Sequence, residues 1–563
     1  MKKFYKKICS LVLIIILFSI LVACQDNDND TSKDSNADAS GDETDPIEFT
    51  LFDSDSNSDW EDMESPVGQK IKEDTGVTLK PEFDIDGGQQ KIPLMASSGE
   101  YPDFILPKDN ASMLVEAGAL IDLTDLIEEH APNLQKMLGD DINRMKWSED
   151  DPSIYIITNA PIDDQPLNPG YGALLQHDVV KELGYPEIRT LEDFENAIRE
   201  YKEMYPEIDG KETIGLTLQT DGWQMQAATL NSGFEMTGGA DDGEYFIDPE
   251  TYEATLHYRR PIEKEVFRWY NHMNAEGLLD PESFVQKDEQ FNEKLSTGRA
   301  LATIAPDYMV GDAQNALRDA GLHERMYGTY PVTLNEDFKS HDYHSPGLQV
   351  GWGIGITVDN EDPVRAIKFL DYLVSEETQI MTNWGIEGEH HEVDEDGKRY
   401  LTDEQWEYRN NDKDFAKETG IGYNFQRFMP RYGDGVEDST GQMYTLSTRE
   451  QNIANQTDVE REVLENYDVE LWSDLYPSAD EFEVKPWGAA YNIPIPGDSD
   501  LDVINQRMLD ITMKRVPEAI LAKPEEFDDI WDEFMQDLEE VGVEEAEEEY
   551  TQLIKDTVEL WDQ

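Results

Sequence analysis

The stretch from residue 47 to residue 106 most constrains the fold, because its hydrophobic pattern changes repeatedly between strand and helix spacing. Short apolar runs predict strands at 47–52, 77–83 and 101–106, and the segments between them, 66–75 and 89–97, have helical character. Alternating strands and helices are typical of a parallel sheet covered by helices. The sequence therefore predicts an α/β fold.

A second region with the same alternation follows a loop rich in Asp, Asn, Pro and Gly at 161–170. It contains predicted strands at 171–176 and 300–305 and a helix opened by the capping box of Thr190 and Asp193. We therefore predict two lobes. Lobe 1 is assigned 47–160 plus 300–360, and lobe 2 is assigned 165–299 plus 361–563, with a helix-rich C-terminal part.

The N-terminal residues predict export and a lipid anchor. Four lysines precede an apolar run, 8–22, that is too short for a comfortable membrane-spanning helix, as in a secretory signal peptide at 1–23. The run ends in Leu21-Val22-Ala23-Cys24, which resembles the bacterial lipobox, whose cysteine receives a diacylglycerol. An ordinary cleaved signal with an incidental cysteine is the alternative. Residues 24–46 are expected to form a disordered tether between the membrane and the fold.

Charge and cysteine content limit the chemistry and the partners that this chain can have. The only other cysteine, Cys9, lies in the signal, so we expect no disulfide, no cysteine metal site and no cysteine nucleophile in the mature chain. The formal net charge of -78 opposes nucleic acid and anionic lipid as partners. We interpret this acidity, which is spread along the chain, as a solvated surface suited to the salty exterior of a halophile.

Four short segments together resemble a known family. They are Gly-Glu-Tyr-Pro-Asp-Phe at 99–104, Gln-His-Asp at 176–178 with Thr-Leu-Glu-Asp-Phe at 190–194, the stretch 291–305 around Leu-Ser-Thr-Gly-Arg-Ala, and Trp-Gly-Ile-Glu-Gly at 384–388. In this order they are similar to the carbohydrate-associated extracellular solute-binding lipoproteins of bacterial ABC importers, within the long Gram-positive subfamily.

This resemblance implies a periplasmic-binding-protein-like fold, with two doubly wound lobes, a hinge and a ligand cleft between the lobes. It implies a lipid-anchored extracellular monomer that captures a carbohydrate, expected to be an oligosaccharide, and delivers it to an ABC permease. It implies no reaction and no cofactor. Some long members carry a calcium loop near the segment that reads 205–212 here, but too few oxygen ligands remain for calcium to be expected there.

The candidate ligand residues are aromatic or acidic and follow or end predicted strands and turns. Loops at the carboxyl ends of strands face the crevice of such folds, and indole rings stack on sugar faces. A core or interface position is the alternative for each tryptophan. The candidates are Trp60, Asp103, Trp223, Asp307, Tyr308, Trp352, Trp384 and Glu387. A neutral sugar is favoured over a uronate, although Arg427 and Arg431 remain candidates for binding a carboxylate.

Three other interpretations stay open. A lipid-anchored polysaccharide hydrolase needs two suitably placed carboxylates. The large number of acidic residues neither supports nor excludes such a pair. A structural adhesin would lack a closing cleft, and a binding protein of this fold can also take peptides or other solutes. The acidic segment 392–403 mimics an EF-hand, but its first and last positions are exchanged, so we predict a hairpin turn at Asp396-Gly397 and no metal.

Overall fold

The computed structural model describes residues 44–84, 90–163, 167–496 and 499–562. The predicted signal, Cys24 and nearly all of the predicted tether lie outside these residues. The strands of the two main sheets are β1 (Ile47–Asp53), β2 (Val77–Phe83), β3 (Phe104–Leu106), β4 (Ile157–Thr158), β5 (Tyr171–Gln176), β6 (Ile214–Leu216), β7 (Ala300–Pro306), β8 (Tyr327–Tyr330) and β9 (Gly353–Ile356).

The first sheet has the strand order β2-β1-β3-β9-β4. Strand β1 runs parallel to β2 and β3, with Leu51 opposite Phe104, whereas β9 is antiparallel to both β3 and β4. Phe49, Leu51 and Phe104 are fully buried in the core of this lobe. The strands predicted from the alternating pattern at 47–106 are confirmed, and they build lobe 1.

The second sheet has the order β8-β5-β7-β6 and builds lobe 2. Strand β7 pairs antiparallel with β5, with Ala302 opposite Leu175, and parallel with β6, with Ala300 opposite Ile214. The prediction that 300–305 returns to lobe 1 is therefore wrong, because the hydrogen-bond partners of this strand lie in lobe 2. The chain re-enters the first sheet later, at β9.

Helices cover both sheets. Those packed into the core of lobe 1 are Pro66–Thr75, Lys91–Ser98, Ala111–Glu116, Thr124–His130, Pro132–Leu138, Pro363–Leu373, Glu376–Trp384, Phe415–Thr419 and Tyr423–Gln426. Those of lobe 2 are His177–Glu182, Leu191–Met204, Asn231–Met236, Pro261–Ala275, Asp288–Ser296, Gly311–Asp319, Asp458–Asn466, Asp500–Leu521, Phe527–Val541 and Val543–Trp561. Two further helices are Asp403–Asn411 and Arg449–Asn455.

Shorter elements complete the described chain. Two-residue and three-residue strands pair as Pro161–Ile162 with Arg431–Tyr432, Glu207–Ile208 with Lys211–Glu212, Tyr245–Ile247 with Ala254–Leu256, and Glu392–Val393 with Arg399–Tyr400. Gln226–Leu230 is a π-helical turn. The 3₁₀ turns are Lys108–Asn110, Gly139–Met145, His257–Arg259, Asp307–Met309, His323–Arg325, Trp472–Leu475, Ala479–Glu481, Ala490–Asn492 and Pro524–Glu526.

The segment after β9 also differs from the predicted division. Helix Pro363–Leu373 packs into the core of lobe 1, where the Asp371 carboxylate accepts a hydrogen bond from the Leu134 backbone N–H at 2.9 Å. The sequence assigns residues 361–563 to lobe 2, but residues of this range up to Met429 pack in the core of lobe 1. The amphipathic pattern of a helix in the sequence shows that the helix has an apolar face. It does not show which of the two sheets that face packs against.

Local signals in the sequence correctly predicted several helix ends and a turn. Thr190 and Asp193 form the predicted capping box, and Gly76 ends the first helix in the left-handed conformation at φ 68°. In the hairpin at 392–400 the Asp394 side chain accepts hydrogen bonds from the backbone N–H groups of Asp396 and Lys398. The predicted hairpin turn is therefore confirmed. Within the described ranges, the search for a helix apolar and long enough to cross a bilayer finds none.

Candidate functional site

One edge of the first sheet presents an exposed tryptophan beside an acid. Because β9 runs antiparallel to β3, Trp352, which precedes β9, lies at the same edge as Lys108 and Asp109, which follow β3. The indole N–H of Trp352 donates a hydrogen bond to Asp109 Oδ1 at 3.0 Å, and Lys108 Nζ lies 5.9 Å from the ring centre. These contacts fix the ring while leaving Trp352 41% exposed.

The second sheet presents a matching aromatic pair. Asp307 and Tyr308 follow β7, and the Asp307 backbone N–H donates to the Gly170 carbonyl at 3.1 Å, next to the start of β5. The Tyr308 and Trp223 rings lie 6.5 Å apart, and these side chains are 66% and 56% exposed. Exposed aromatic faces of this size are unusual on a protein surface unless they contact something.

A cavity of about 280 Å³ lies at this edge of the second sheet. Tyr308 and Tyr491 both line it, and the Tyr491 ring lies 6.1 Å from Trp352. Gln349, another lining residue, donates from Nε2 to the Tyr491 hydroxyl at 3.3 Å. Trp223 and Tyr308 thus form one ring pair, Tyr491 and Trp352 form a second, and one member of each pair lines the cavity. We call these four side chains the aromatic row.

Three carboxyl groups line the same cavity: Glu235, Asp241 and Asp342. Burial, and then the charge of Asp342, raises the pKa of Glu235 to about 8, although Ser340 Oγ and the His341 backbone donate hydrogen bonds to it. Burial also raises the pKa of Asp342 to about 7 and the pKa of Asp241 above its usual range. Burial thus raises the pKa values of all three carboxyl groups of the cavity, which favours their protonated forms.

Of the predicted ligand residues, the structure groups Trp223, Asp307, Tyr308 and Trp352 at this cavity or beside it. Asp103 is placed elsewhere. Its carboxylate accepts hydrogen bonds from the Thr50 backbone N–H at 2.8 Å and from Thr50 Oγ1 at 2.7 Å. It precedes β3, so it lies at the amino end of a strand whose carboxyl end faces the cavity. Its role is to join β1 to β3.

Trp60 packs in the core of lobe 1. Its ring lies 5.4 Å from Phe425, 6.0 Å from Phe83 and 6.2 Å from Phe428. Three aromatic contacts of this kind are typical of a core residue. The prediction that this indole is a stacking platform for a ligand is therefore not supported by its position.

Trp384 and Glu387 are also remote from the aromatic row. Trp384 is 9% exposed, its indole N–H donates to the Tyr444 carbonyl at 3.0 Å, and the Arg399 guanidinium lies 5.3 Å from its ring centre. Glu387 is exposed on the turn that follows. Trp384 and Arg399 line a different cavity, of about 1030 Å³. The segment 384–388 thus builds a separate part of the molecule.

The two arginines considered for a carboxylate ligand are already occupied. Arg427 is 2% exposed, and its Nε lies 2.8 Å from the Asp53 carboxylate at the end of β1. Burial raises the pKa of Asp53 to about 6 despite this partner. Arg431 donates from Nη1 to the Asn159 carbonyl at 2.7 Å. The charge of Arg427 is thus balanced within the protein.

The sequence reasoning missed Glu235, Asp241, Asp342 and Tyr491. Asp241 follows a Gly-Gly pair and Asp342 lies in a His-Asp-Tyr-His stretch, which are the only local signals they carry. Among 123 acidic residues, such signals do not distinguish a site. Among the residues that the structure describes, no group of three or more His, Cys, Asp and Glu side chains is arranged to hold a metal ion.

Two α/β lobes with a polar cavity and an exposed aromatic row between the ends of their sheets define a two-lobed binding protein. Sequence comparison identifies the family. The sequence model for bacterial extracellular solute-binding proteins matches residues 67–385, more than half of the 563-residue chain. The chain belongs to this family.

Two relatives are similar over much of the chain. Lipoprotein LipO of Bacillus subtilis is 22% identical over 374 residues, which cover 64% of this chain and 70% of LipO. The fructooligosaccharide ABC transporter substrate-binding protein FusA of Streptococcus pneumoniae is 22% identical over 341 residues, which cover 58% of this chain and 60% of FusA.

Solved structures show the same fold. FusA in complex with kestose matches with a TM-score of 0.64 at 17% identity, covering 92% of this chain and 99% of that one. An HMO-binding, ABC-transporter-associated solute-binding protein from Bifidobacterium longum infantis matches with a TM-score of 0.64 at 14% identity, covering 91% of this chain and 98% of that one. The alginate-binding protein AlgQ2 matches at 0.60 and 17% identity, covering 92% and 98%. At these identities the likeness establishes the fold, which is the predicted one.

Proposed function

We propose that this protein is the extracellular binding component of an ABC importer and captures an oligosaccharide between its lobes. The observation that carries the proposal is the aromatic row, in which Trp223, Tyr308 and Trp352 are each more than 40% exposed, and Tyr308 lines a cavity together with three carboxyl groups. Sugar rings offer apolar faces for stacking and hydroxyl groups for hydrogen bonds. The row and the carboxyl groups supply both kinds of partner.

The relatives support the same ligand class. FusA is named for fructooligosaccharides and was solved with kestose, and another structural neighbour is an HMO-binding protein. A chain of stacking residues suits an oligomer better than a single ring, because successive sugar units can each cover one aromatic face. Delivery to a membrane permease follows from the family's role and from the expected anchoring at Cys24.

Calorimetry with a library of oligosaccharides tests the capture step. After a ligand is found, Tyr308→Ala should weaken it by up to about 3 kcal/mol, because the variant loses a stacking face and its buried area. Tyr400→Ala is the matched control, since Tyr400 is 43% exposed but lies on the hairpin near the other cavity. Equal affinity of wild type and Tyr308→Ala, with both folded, would remove the aromatic row from the site.

The same experiment separates a binding protein from a polysaccharide hydrolase. Raised carboxyl pKa values also suit a general acid, so the products must be examined. We expect the ligand to saturate the protein and to be recovered intact after long incubation. Release of shortened sugars by wild type, but not by Glu235→Gln, would instead assign an enzyme. Saturation by peptides alone would identify a different solute.

The lipid anchor has its own test in the full-length chain. Cys24→Ser should abolish lipid attachment, because serine lacks the thiol that receives the diacylglycerol, and the variant should appear unprocessed or in the medium. Membrane fractionation and metabolic labelling with a fatty acid measure this outcome. A variant that still enters the membrane fraction at mature size and carries label contradicts anchoring at Cys24.

A further inference from the structure

Lobe 1 carries a second exposed aromatic side chain, which the aromatic row does not include. Tyr423 begins helix Tyr423–Gln426 and is 53% exposed. Its ring centre lies 5.1 Å from Arg427 Cζ and 5.8 Å from Arg431 Cζ. Guanidinium groups at this distance are attracted to an aromatic ring and hold it in place. Tyr423 therefore presents a fixed aromatic surface to solvent.

The two arginines place this ring at the edge of the sheet that carries Trp352. Arg427 reaches the end of β1, where its Nε lies 2.8 Å from the Asp53 carboxylate. Arg431 reaches the end of β4, where it donates to the Asn159 carbonyl at 2.7 Å. In the sheet, β3 and β9 lie between β1 and β4, and Trp352 directly precedes β9. The Asn159 backbone N–H donates to the Trp352 carbonyl at 3.3 Å, so both aromatic residues belong to one edge.

Polar side chains lie between the two rings. Lys108 Nζ, which lies 5.9 Å from the Trp352 ring centre, forms an ion pair with Asp55 Oδ1, and Asp55 Oδ2 lies 3.9 Å from Arg427 Nη2. The Lys108 and Asp55 side chains are 37% and 39% exposed, so the hydroxyl groups of a ligand can reach them. Because only β3 separates β1 from β9, the ends of these two strands are roughly 10 Å apart, a span longer than one sugar ring.

A polar cavity adjoins Tyr423. Its volume is about 220 Å³, and it is lined by residues 56–59, which follow β1, and by Asn424 beside Tyr423. Asn57 Nδ2 donates to Asn424 Oδ1 at 3.1 Å, which ties the loop after β1 to the helix that carries the ring. The volume is several times the roughly 30 Å³ that one water molecule occupies in the liquid. Hydroxyl, amide and carboxyl groups beside an aromatic face are the partners that a sugar unit needs.

We propose that Tyr423 and residues 56–59 form a second sugar subsite on lobe 1, and that the captured oligosaccharide covers Trp352 and Tyr423 at the same time. This inference rests on the proposed function and narrows its ligand class to linear oligosaccharides of about three units or more. One unit stacks on Trp352 and a later unit stacks on Tyr423. The unit between them passes Lys108 and Asp55, which bond its hydroxyl groups. A disaccharide covers only one of the two rings.

Calorimetry with graded chain lengths tests the inference. The probes are the dimers to hexamers of four linear series, built from α-1,4-glucose, β-1,4-glucose, β-1,4-mannose and β-1,4-xylose. In a series that binds, Tyr423→Ala should weaken the tetramer by about 10-fold or more and the dimer by less than about 2-fold, because only the longer chain reaches Tyr423. Equal losses for dimer and tetramer, or no loss for either, overturn the second subsite and leave oligosaccharide capture standing. Failure of all four series overturns it as well, and if the oligosaccharide library also fails, the proposed function falls with it.

Two further variants separate stacking from a structural effect. Tyr423→Phe keeps the aromatic face and should bind the tetramer within about 2-fold of wild type, whereas Tyr423→Leu keeps apolar bulk without a flat face and should behave like Tyr423→Ala. Tyr400→Ala is the matched control, because Tyr400 is 43% exposed but lies at the cavity of about 1030 Å³. Circular dichroism and thermal melts confirm that each variant is folded. Tetramer binding by Tyr423→Leu that equals binding by Tyr423→Phe, or a loss in Tyr400→Ala as large as that in Tyr423→Ala, overturns the assignment.

Discussion

At the scale of single residues, the structure places an acid where water and ions cannot easily reach it. Glu235 is 5% exposed, and its pKa rises to about 8 from the ordinary 4.5. The folded protein therefore keeps a proton that the unfolded chain releases above about pH 4.5. Because the unfolded state then binds fewer protons, the free energy of unfolding falls as pH rises from about 4.5 to 8.

Glu235→Gln should remove this dependence. Glutamine resembles the protonated acid and keeps an oxygen that accepts from Ser340 and the backbone of His341. We expect the free energy of unfolding of the variant to exceed that of wild type by on the order of a few kcal/mol at pH 8 to 9, which raises its melting temperature, and to match that of wild type near pH 5. Thermal melts across this range measure the difference. Glu548→Gln, on an exposed helix face, is the control, and a pH-independent difference would contradict the argument.

At the scale of elements, the first sheet depends on one close backbone approach. Strand β9 comes from a distant part of the chain and fits between β3 and β4. A Cβ atom added at Gly353 would lie 1.9 Å from the Ile157 carbonyl oxygen of β4, which is much shorter than the distance between non-bonded atoms in proteins. Glycine at this position lets β9 pair with β4. This pairing also holds the neighbouring residue Trp352 in place.

Gly353→Ala should therefore lower the free energy of unfolding by about 2 kcal/mol or more and displace Trp352 from the cavity edge. Chemical denaturation followed by tryptophan fluorescence measures the first effect, and ligand affinity measures the second. Gly311→Ala is the matched control, because no atom lies within 4 Å of the added Cβ and the site begins a helix. The control should be neutral or slightly stabilising. Equal stability of the two variants would show that β4 can move aside at little cost.

At the scale of the whole molecule, the formal net charge of -78 makes self-repulsion a general property of the surface. The distance over which charges interact shortens from about 10 Å at 0.1 M salt to about 3 Å at 1 M. We expect the melting temperature to rise by several degrees over this range of sodium chloride, because the folded chain concentrates more charge than the unfolded one. Calorimetry in sucrose of equal osmolality separates screening from solute exclusion. A melting temperature unaffected by salt would contradict this account.

Part of the candidate site could be predicted from sequence. Asp307, Tyr308 and Trp223 follow strands, and residues after strands meet at one edge of a sheet, so the local pattern predicted that they lie together, while their part in binding a ligand stays a prediction. Asp103 precedes its strand and Trp384 ends a helix, so neither reaches that edge. The same kind of evidence could not separate exposed from packed indoles, because burial depends on neighbours far away in the chain.

The amino-acid sequence by itself determined the elements, since caps, glycine ends and hydrophobic periods act over a few residues, as at Thr190 and Gly76. Only the tertiary structure decided which sheet each element joined. Strand β7 has an apolar pattern that would suit either lobe, and pairing with β5 placed it in lobe 2. The acidic cavity was likewise decided by folding, because Glu235, Asp241 and Asp342 converge from two distant segments. Their raised pKa values arise from that shared burial, which no local pattern encodes.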